Sequence, residues 1–169
     1  VEENNDIGVI VMEVIRNKLP ENDFLKKVRK IADDIGAVLV FDEITSAFRM
    51  TVGGIYKLYD VEPDIVVFGK AMSNGYPMAA VVGKSEIMDV AQESFISSTY
   101  WTEGIGPTAA LATIEKMEKN NVPKHIVNIG QTIGKAWETA AKESSLNIHV
   151  DYVFKPIMHF DFEYPNKQA

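Results

Sequence analysis

The chain has 169 residues, with 17 basic and 24 acidic side chains, a formal net charge of −7 and no cysteine. That length supports one sizeable core but not two full domains. The acidic balance argues against nucleic acid as a partner, and the cysteine count excludes disulfides, thiolate metal sites and thiol nucleophiles. No apolar run approaches the roughly 20 residues that cross a bilayer, so neither a membrane partner nor a signal peptide is expected. The lack of disulfides fits a reducing compartment, and a cytoplasmic location is expected.

Ile7–Met12 reads as a buried strand ending at Glu13. Leu19-Pro20-Glu21-Asn22-Asp23 has turn chemistry and marks a helix start. Phe24, Leu25, Val28, Ile31, Ala32 and Ile35 then recur at helical spacing, with charged residues between them and Gly36 as the stop. Ala37–Phe41 follows as a strand, which makes a parallel βαβ unit. Thr45–Tyr59 reads as a loop around Gly53-Gly54, Glu62-Pro63-Asp64 as a turn, and Ile65–Phe68 as the next strand. After the turn Ser73–Pro77 come a strand over Met78–Gly83, a short helix from Ser85, and a polar, aromatic loop over Phe95–Gly106. A helix is expected from Pro107 to about Lys119, another over Lys124–Ser144, and an alternating strand over Lys155–Phe162. Uninterrupted Val/Ile/Phe runs read as strands buried on both faces, so the fold class is three-layer αβα with a mainly parallel sheet.

Two of these strands end in ionisable residues. Val38-Leu-Val-Phe runs into Asp42-Glu43, and Ile65-Val-Val-Phe runs into Gly69-Lys70. Ligands of open α/β sheets sit beyond the carboxyl ends of such strands. One meaning of an apolar strand ending in Asp-Glu is the metal-holding acid of a P-loop ATPase, which needs a G-x-x-x-x-G-K-[ST] loop. Gly83-Lys84-Ser85 comes closest, but Met78 stands where the leading glycine belongs. The other meaning is a carboxylate facing a protonated ring nitrogen. An aldehyde needs a neutral amine, and a pyridine ring needs an anion to stay protonated and accept electrons. A lysine and an aspartate on adjacent strand ends meet both needs, the pairing found in pyridoxal phosphate sites.

Val40-Phe-Asp-Glu-Ile-Thr-Ser-Ala-Phe-Arg49 and Asp60-Val-Glu-Pro-Asp-Ile-Val-Val-Phe-Gly-Lys-Ala-Met-Ser-Asn-Gly-Tyr-Pro-Met-Ala-Ala-Val-Val-Gly83 resemble the class III aminotransferases, which are fold-type I pyridoxal phosphate enzymes. Phe48-Arg49 and the run before Lys70 look most like glutamate-1-semialdehyde aminomutase and its relatives. The resemblance implies that Lys70 forms the Schiff base with pyridoxal 5'-phosphate and later moves a proton between substrate carbon and cofactor. It implies that Asp42 pairs with the pyridine nitrogen and that Ile44 packs on the ring face. Thr102 matches the threonine that reaches the cofactor phosphate of a neighbouring subunit, with Thr99 as its rival because Thr99–Pro107 departs from the usual T-x-x-G-N-P. It further implies a homodimer with a shared active site, acting on a small-molecule amino donor and a keto or aldehyde acceptor. Ser46-Ala47 replaces the usual Thr-Gly, and Val14 the usual Pro.

The family's phosphate-cradling loop and its ring-stacking aromatic residue precede the position of Glu13 and are not in this sequence. The chain is therefore expected to be an internal piece of a larger enzyme, inactive alone. Residues 1–146 would belong to the large cofactor domain and 147–169 to the start of a small C-terminal domain. Arg49 is open between a substrate carboxylate and a structural salt bridge. Tyr100 and Trp101 read as packing or subunit-contact residues, and His125, His149 and His159 lack metal-ligand spacing. Two competing readings remain: an ATPase piece with Asp42-Glu43 as metal acid, and a non-catalytic domain that keeps the fold.

Overall fold

Alternation along Val38–Asp42 decides where the core lies. Leu39 and Phe41 are fully buried, whereas Val38, Val40 and Asp42 on the opposite face are half-buried. The computed structural model describes residues 6–16 and 18–164. Its elements are β1 (Val9–Glu13), α1 (Phe24–Ile35), β2 (Val38–Asp42), β3 (Ile65–Phe68), β4 (Ala80–Gly83), α2 (Ser85–Met88), α3 (Ile105–Asn120), α4 (Val122–Glu143), β5 (Ile148–Asp151) and β6 (His159–Phe162). The strands β1 to β4 form one sheet in sequential order, parallel from β1 through β3, with β4 antiparallel to β3. The mainly parallel α/β sheet is thus the expected one. Of the expected domain spans, residues 1–5, 17 and 165–169 lie outside the described residues.

The amphipathic α1 lays Leu25 and Ala32 against Leu39 and Phe41, and Ile55, Val61, Val14 and Ile15 complete that cluster. Gly36 ends α1 at φ 71, a left-handed conformation that costs glycine little, and its N–H reaches the last turn. A second cluster joins Ala47, Phe48 and Met72 to Ala110 and Met117 of α3. The Phe48 and Phe68 rings meet edge to face within it.

Several elements differ from expectation, each for a local reason. β1 is an edge strand that pairs with β2 alone among the described residues, so Val9 and Val11 are 53% and 65% exposed rather than buried. The Ile55–Tyr59 stretch, expected as loop, is a 3-10 turn. β4 begins at Ala80, beyond Pro77, which has no N–H for a ladder. The strand expected over Lys155–Phe162 shrinks to β6, because Phe154–Ile157 forms a turn containing Pro156. All four β6 residues are exposed, so its alternation marks no buried face. Its partner β5 was not anticipated. Phe154, between the two strands, is buried in the main cluster with Val14 and Ile15, which anchors the hairpin beside the end of β1.

Asp64 ties the parts together. It is 5% exposed and sits at the turn into β3. Its carboxylate accepts from Arg29 of α1 at 2.8 Å, from Lys84 at 2.7 Å and from the Leu39 N–H at 2.7 Å. Burial by itself would raise the carboxyl's pKa. The Leu39 N–H and the two cations more than offset it and hold the group at about 2, below the ordinary 3.8. The unfolded chain therefore binds this proton more readily. The clamp's contribution, about 2 kcal/mol, is fully present above pH 4 and is lost as pH falls from there toward 2. The difference between urea midpoints at pH 6 and pH 3 should be smaller in Asp64→Asn than in the parent protein.

Candidate functional site

The end of β2 sends successive side chains in opposite directions. Asp42 Oδ1 accepts the Ile44 N–H at 3.0 Å, which bends the chain out of the strand and leaves Oδ2 for another donor. Glu43 points inward and is fully buried. Its Oε2 accepts from the Ile55 N–H at 2.6 Å and from the Ser46 hydroxyl at 3.1 Å, and Oε1 accepts from the Tyr56 N–H at 2.9 Å. Burial raises the Glu43 pKa, opposed by these hydrogen bonds and by the charge of Lys57. A Cβ at Gly54 would run into the Tyr56 ring and lie 3.1 Å from Glu43 Oε1, so glycine lets the turn cross close to the carboxylate.

Glu43 is thus a structural acceptor, spent on its own loop, and not half of a metal-binding pair. This overturns the ATPase reading of Asp42-Glu43. Glu43→Ala strands three donors in the interior and is expected to destabilise the protein by about 3–5 kcal/mol, read from chemical denaturation.

β3 ends at Phe68, and Gly69 leads into a 3-10 turn that begins with Lys70. Lys70 has φ 44, a left-handed conformation uncommon for a residue with a Cβ. Strained backbone of this kind concentrates at functional sites. The Lys70 Nζ donates to Thr45 Oγ1 at 2.8 Å. Ile44 closes the gap between the strand ends, with its Cγ2 3.5 Å from where a Gly69 Cβ would stand. Asp42 pairs in register with Val67, one strand over and just before Lys70.

Asp42, Ile44 and Lys70 therefore meet at the carboxyl ends of two adjacent parallel strands. Thr45, which receives the lysine amine, escaped the sequence reading because an isolated threonine in a turn carries no signal. Arg49 is half-buried, and its Nε donates to the Thr45 carbonyl. Burial lowers its pKa. It serves the turn and makes no salt bridge among the described residues, which removes the structural-salt-bridge alternative and leaves a substrate carboxylate open. Thr102 and Thr99 both lie on the exposed loop before α3. Tyr100 and Trp101 on that loop are 60% and 68% exposed and so do not pack within the chain.

The donor set fits pyridoxal phosphate: an accessible amine and a carboxylate oxygen open to a donor, with a branched apolar side chain between them. A family model of class-III aminotransferases matches residues 2–150. The 3-aminobutyryl-CoA aminotransferase of Cloacimonas acidaminovorans is 40% identical over 133 residues, 78% of this chain and 32% of that protein. The glutamate-1-semialdehyde 2,1-aminomutase of Sulfolobus acidocaldarius is 40% identical over 121 residues, 68% of this chain and 29% of that protein. This chain thus spans about a third of the length of these curated relatives.

Among solved structures, the Sphingopyxis FumI protein in its pyridoxal phosphate internal aldimine form superposes with a TM-score of 0.88 at 22% identity, over 98% of this chain and 41% of that one. An S-selective transaminase from Arthrobacter superposes with a TM-score of 0.67 at 25% identity, over 88% of this chain and 34% of that one. The α/β fold expected from the sequence is the fold of these transaminases. By the family match and the strand-end motif together, the chain belongs to the class-III aminotransferase family.

Proposed function

We propose that this chain carries the lysine-bearing part of a pyridoxal phosphate-dependent enzyme that moves an amino group between a small amino donor and a keto or aldehyde acceptor, as an aminotransferase or an aminomutase. The observation that carries the reading is Lys70, held in a left-handed conformation at the end of β3 with its amine on Thr45 beside Asp42. When bound, pyridoxal phosphate supplies an aldehyde for amines and a ring that takes up an electron pair.

The residues divide the remaining work. Lys70 Nζ would hold the cofactor's aldehyde carbon covalently, and as a free amine the same Nζ would serve as the general base at the reacting carbon. Asp42 Oδ2 would accept from the ring N–H, while Oδ1 holds the Ile44 N–H and fixes the carboxylate's angle. Ile44 would cover one ring face and exclude water there.

Thr102, or Thr99 beside it, holds the cofactor phosphate of a neighbouring subunit in a homodimer. Support comes from the exposure of Phe95 (97%), Trp101 and Ile105 around that loop, next to a groove of about 910 Å³ between the Ser73–Tyr76 turn and α3. Residues 1–146 belong to the large domain and 147–169 open the small one. A cytoplasmic location goes with this reading. No described helix is long and apolar enough to cross a membrane. Borohydride treatment of the holoenzyme followed by peptide mapping tests the assignment. A reduced cofactor adduct on Lys70 is expected, and an adduct elsewhere, or none, refutes it.

A further inference from the structure

Lys70 is exposed, so packing does not hold its side chain. Among the described residues its amine makes one hydrogen bond, to Thr45 Oγ1 at 2.8 Å, and no ion pair. A lysine chain left free spreads over many rotamers, and that freedom dilutes any one geometry by roughly 10- to 30-fold. An amine that attacks a carbon or takes a proton must be held close to it. The hydroxyl of Thr45 is the group that gathers this chain toward the strand ends.

Thr45 is itself firmly placed. Its carbonyl accepts from Arg49 Nε, and the preceding Ile44 N–H is bonded to Asp42 Oδ1. Buried Glu43 fastens the same turn through the Ser46 hydroxyl and the Ile55 and Tyr56 N–H groups. A β-branched side chain has few χ1 choices, so a fixed backbone also fixes the direction of the hydroxyl. On its far flank Thr45 lines a cavity of about 150 Å³ under the β5–β6 hairpin, together with Arg16, Asp151 and His159. Asp151 Oδ1 accepts the Val153 N–H, Oδ2 faces His159 Nε2, and Arg16 contacts Glu13. These groups are spent on one another or on their own neighbours, and the hydroxyl is left to the lysine. An ion pair with a carboxylate would tie the amine down more firmly. A hydroxyl orients it and lets it go.

We propose that Thr45 is a positioning residue. Its hydroxyl holds the free Lys70 Nζ where that nitrogen can bond to the cofactor's aldehyde carbon, whose oxygen leaves as water with two protons from the amine. The inference rests on the amino-transfer reading, and the experiment separates the two. Full-length apoenzyme is mixed with saturating pyridoxal phosphate, and the adduct on Lys70 is trapped with borohydride at successive times. Thr45→Val keeps the side chain's shape and Thr45→Ala shortens it, and both lose the hydroxyl. Each should form the adduct about 10- to 30-fold more slowly than the parent, yet reach the same final extent. Thr45→Ser keeps the hydroxyl and should recover most of the rate. Parent-like rates in Thr45→Val and Thr45→Ala overturn the proposal, and so does a slowing that Thr45→Ser shares in full. No adduct on Lys70 in the parent at any time overturns the amino-transfer reading instead.

Discussion

Lys70→Ala in the holoenzyme is expected to lower turnover by about 10,000-fold or more, with loss of the borohydride-reducible cofactor link. The size follows from two jobs on one nitrogen. On the proposed reading Nζ anchors the cofactor and also serves as the base at the reacting carbon, and an alanine does neither. Added small amines should recover part of the proton transfer but none of the peptide-bound label, which separates the two jobs. The backbone supplies a further control. At φ 44 any side chain is strained, whereas glycine is not. Lys70→Gly is therefore expected to be as inactive as the alanine variant and yet about 1 kcal/mol more stable than the parent. A residue that holds strain for a purely structural reason would not show stability and turnover moving in opposite directions.

Asp42→Asn is expected to cost about 100- to 1,000-fold in kcat, with the cofactor still attached to Lys70. The amide oxygen can take the place of Oδ1 and accept the Ile44 N–H, so the bend at the end of β2 survives. What the proposed reading expects to be lost is the anion opposite the ring nitrogen, and with it the ring's capacity to take up electrons. Asp42→Ala should match the kinetic loss and add roughly 1 kcal/mol of instability, because the Ile44 N–H then has no acceptor. Equal turnover in Asp42→Asn and the parent would remove Asp42 from the chemistry. Steady-state kinetics alongside thermal melts distinguishes the two variants.

Glu43 and Asp42 show how far adjacent residues can diverge. Side chains alternate along a strand, so one carboxylate faces the site and the other the interior. In the sequence the two looked like a possible pair. In the folded chain Glu43 accepts the Ile55 and Tyr56 amides and the Ser46 hydroxyl, and supports the loop on which Ile44 and Thr45 are carried. Likewise Asp64 appeared only as part of a turn. Its burial between Arg29 and Lys84 depends on α1 and the end of β4 arriving at the same point.

By itself the sequence determined the strand-helix-strand order, the parallel core of the sheet, and the placement of an aspartate and a lysine at strand ends. Each of these is written in local pattern: apolar runs of strand length, a helical repeat closed by glycine, and motif residues at short range. Tertiary structure alone decided that Thr45 receives the lysine amine, that Glu43 turns inward, and that Arg16 comes beside Thr45 under a hairpin whose first strand had no clear signature. Those outcomes depend on register between strands and on contacts between residues more than a hundred positions apart, such as Ile15 with Phe154. Neither periodicity nor residue type at one position encodes such contacts, because they form only when separate elements pack.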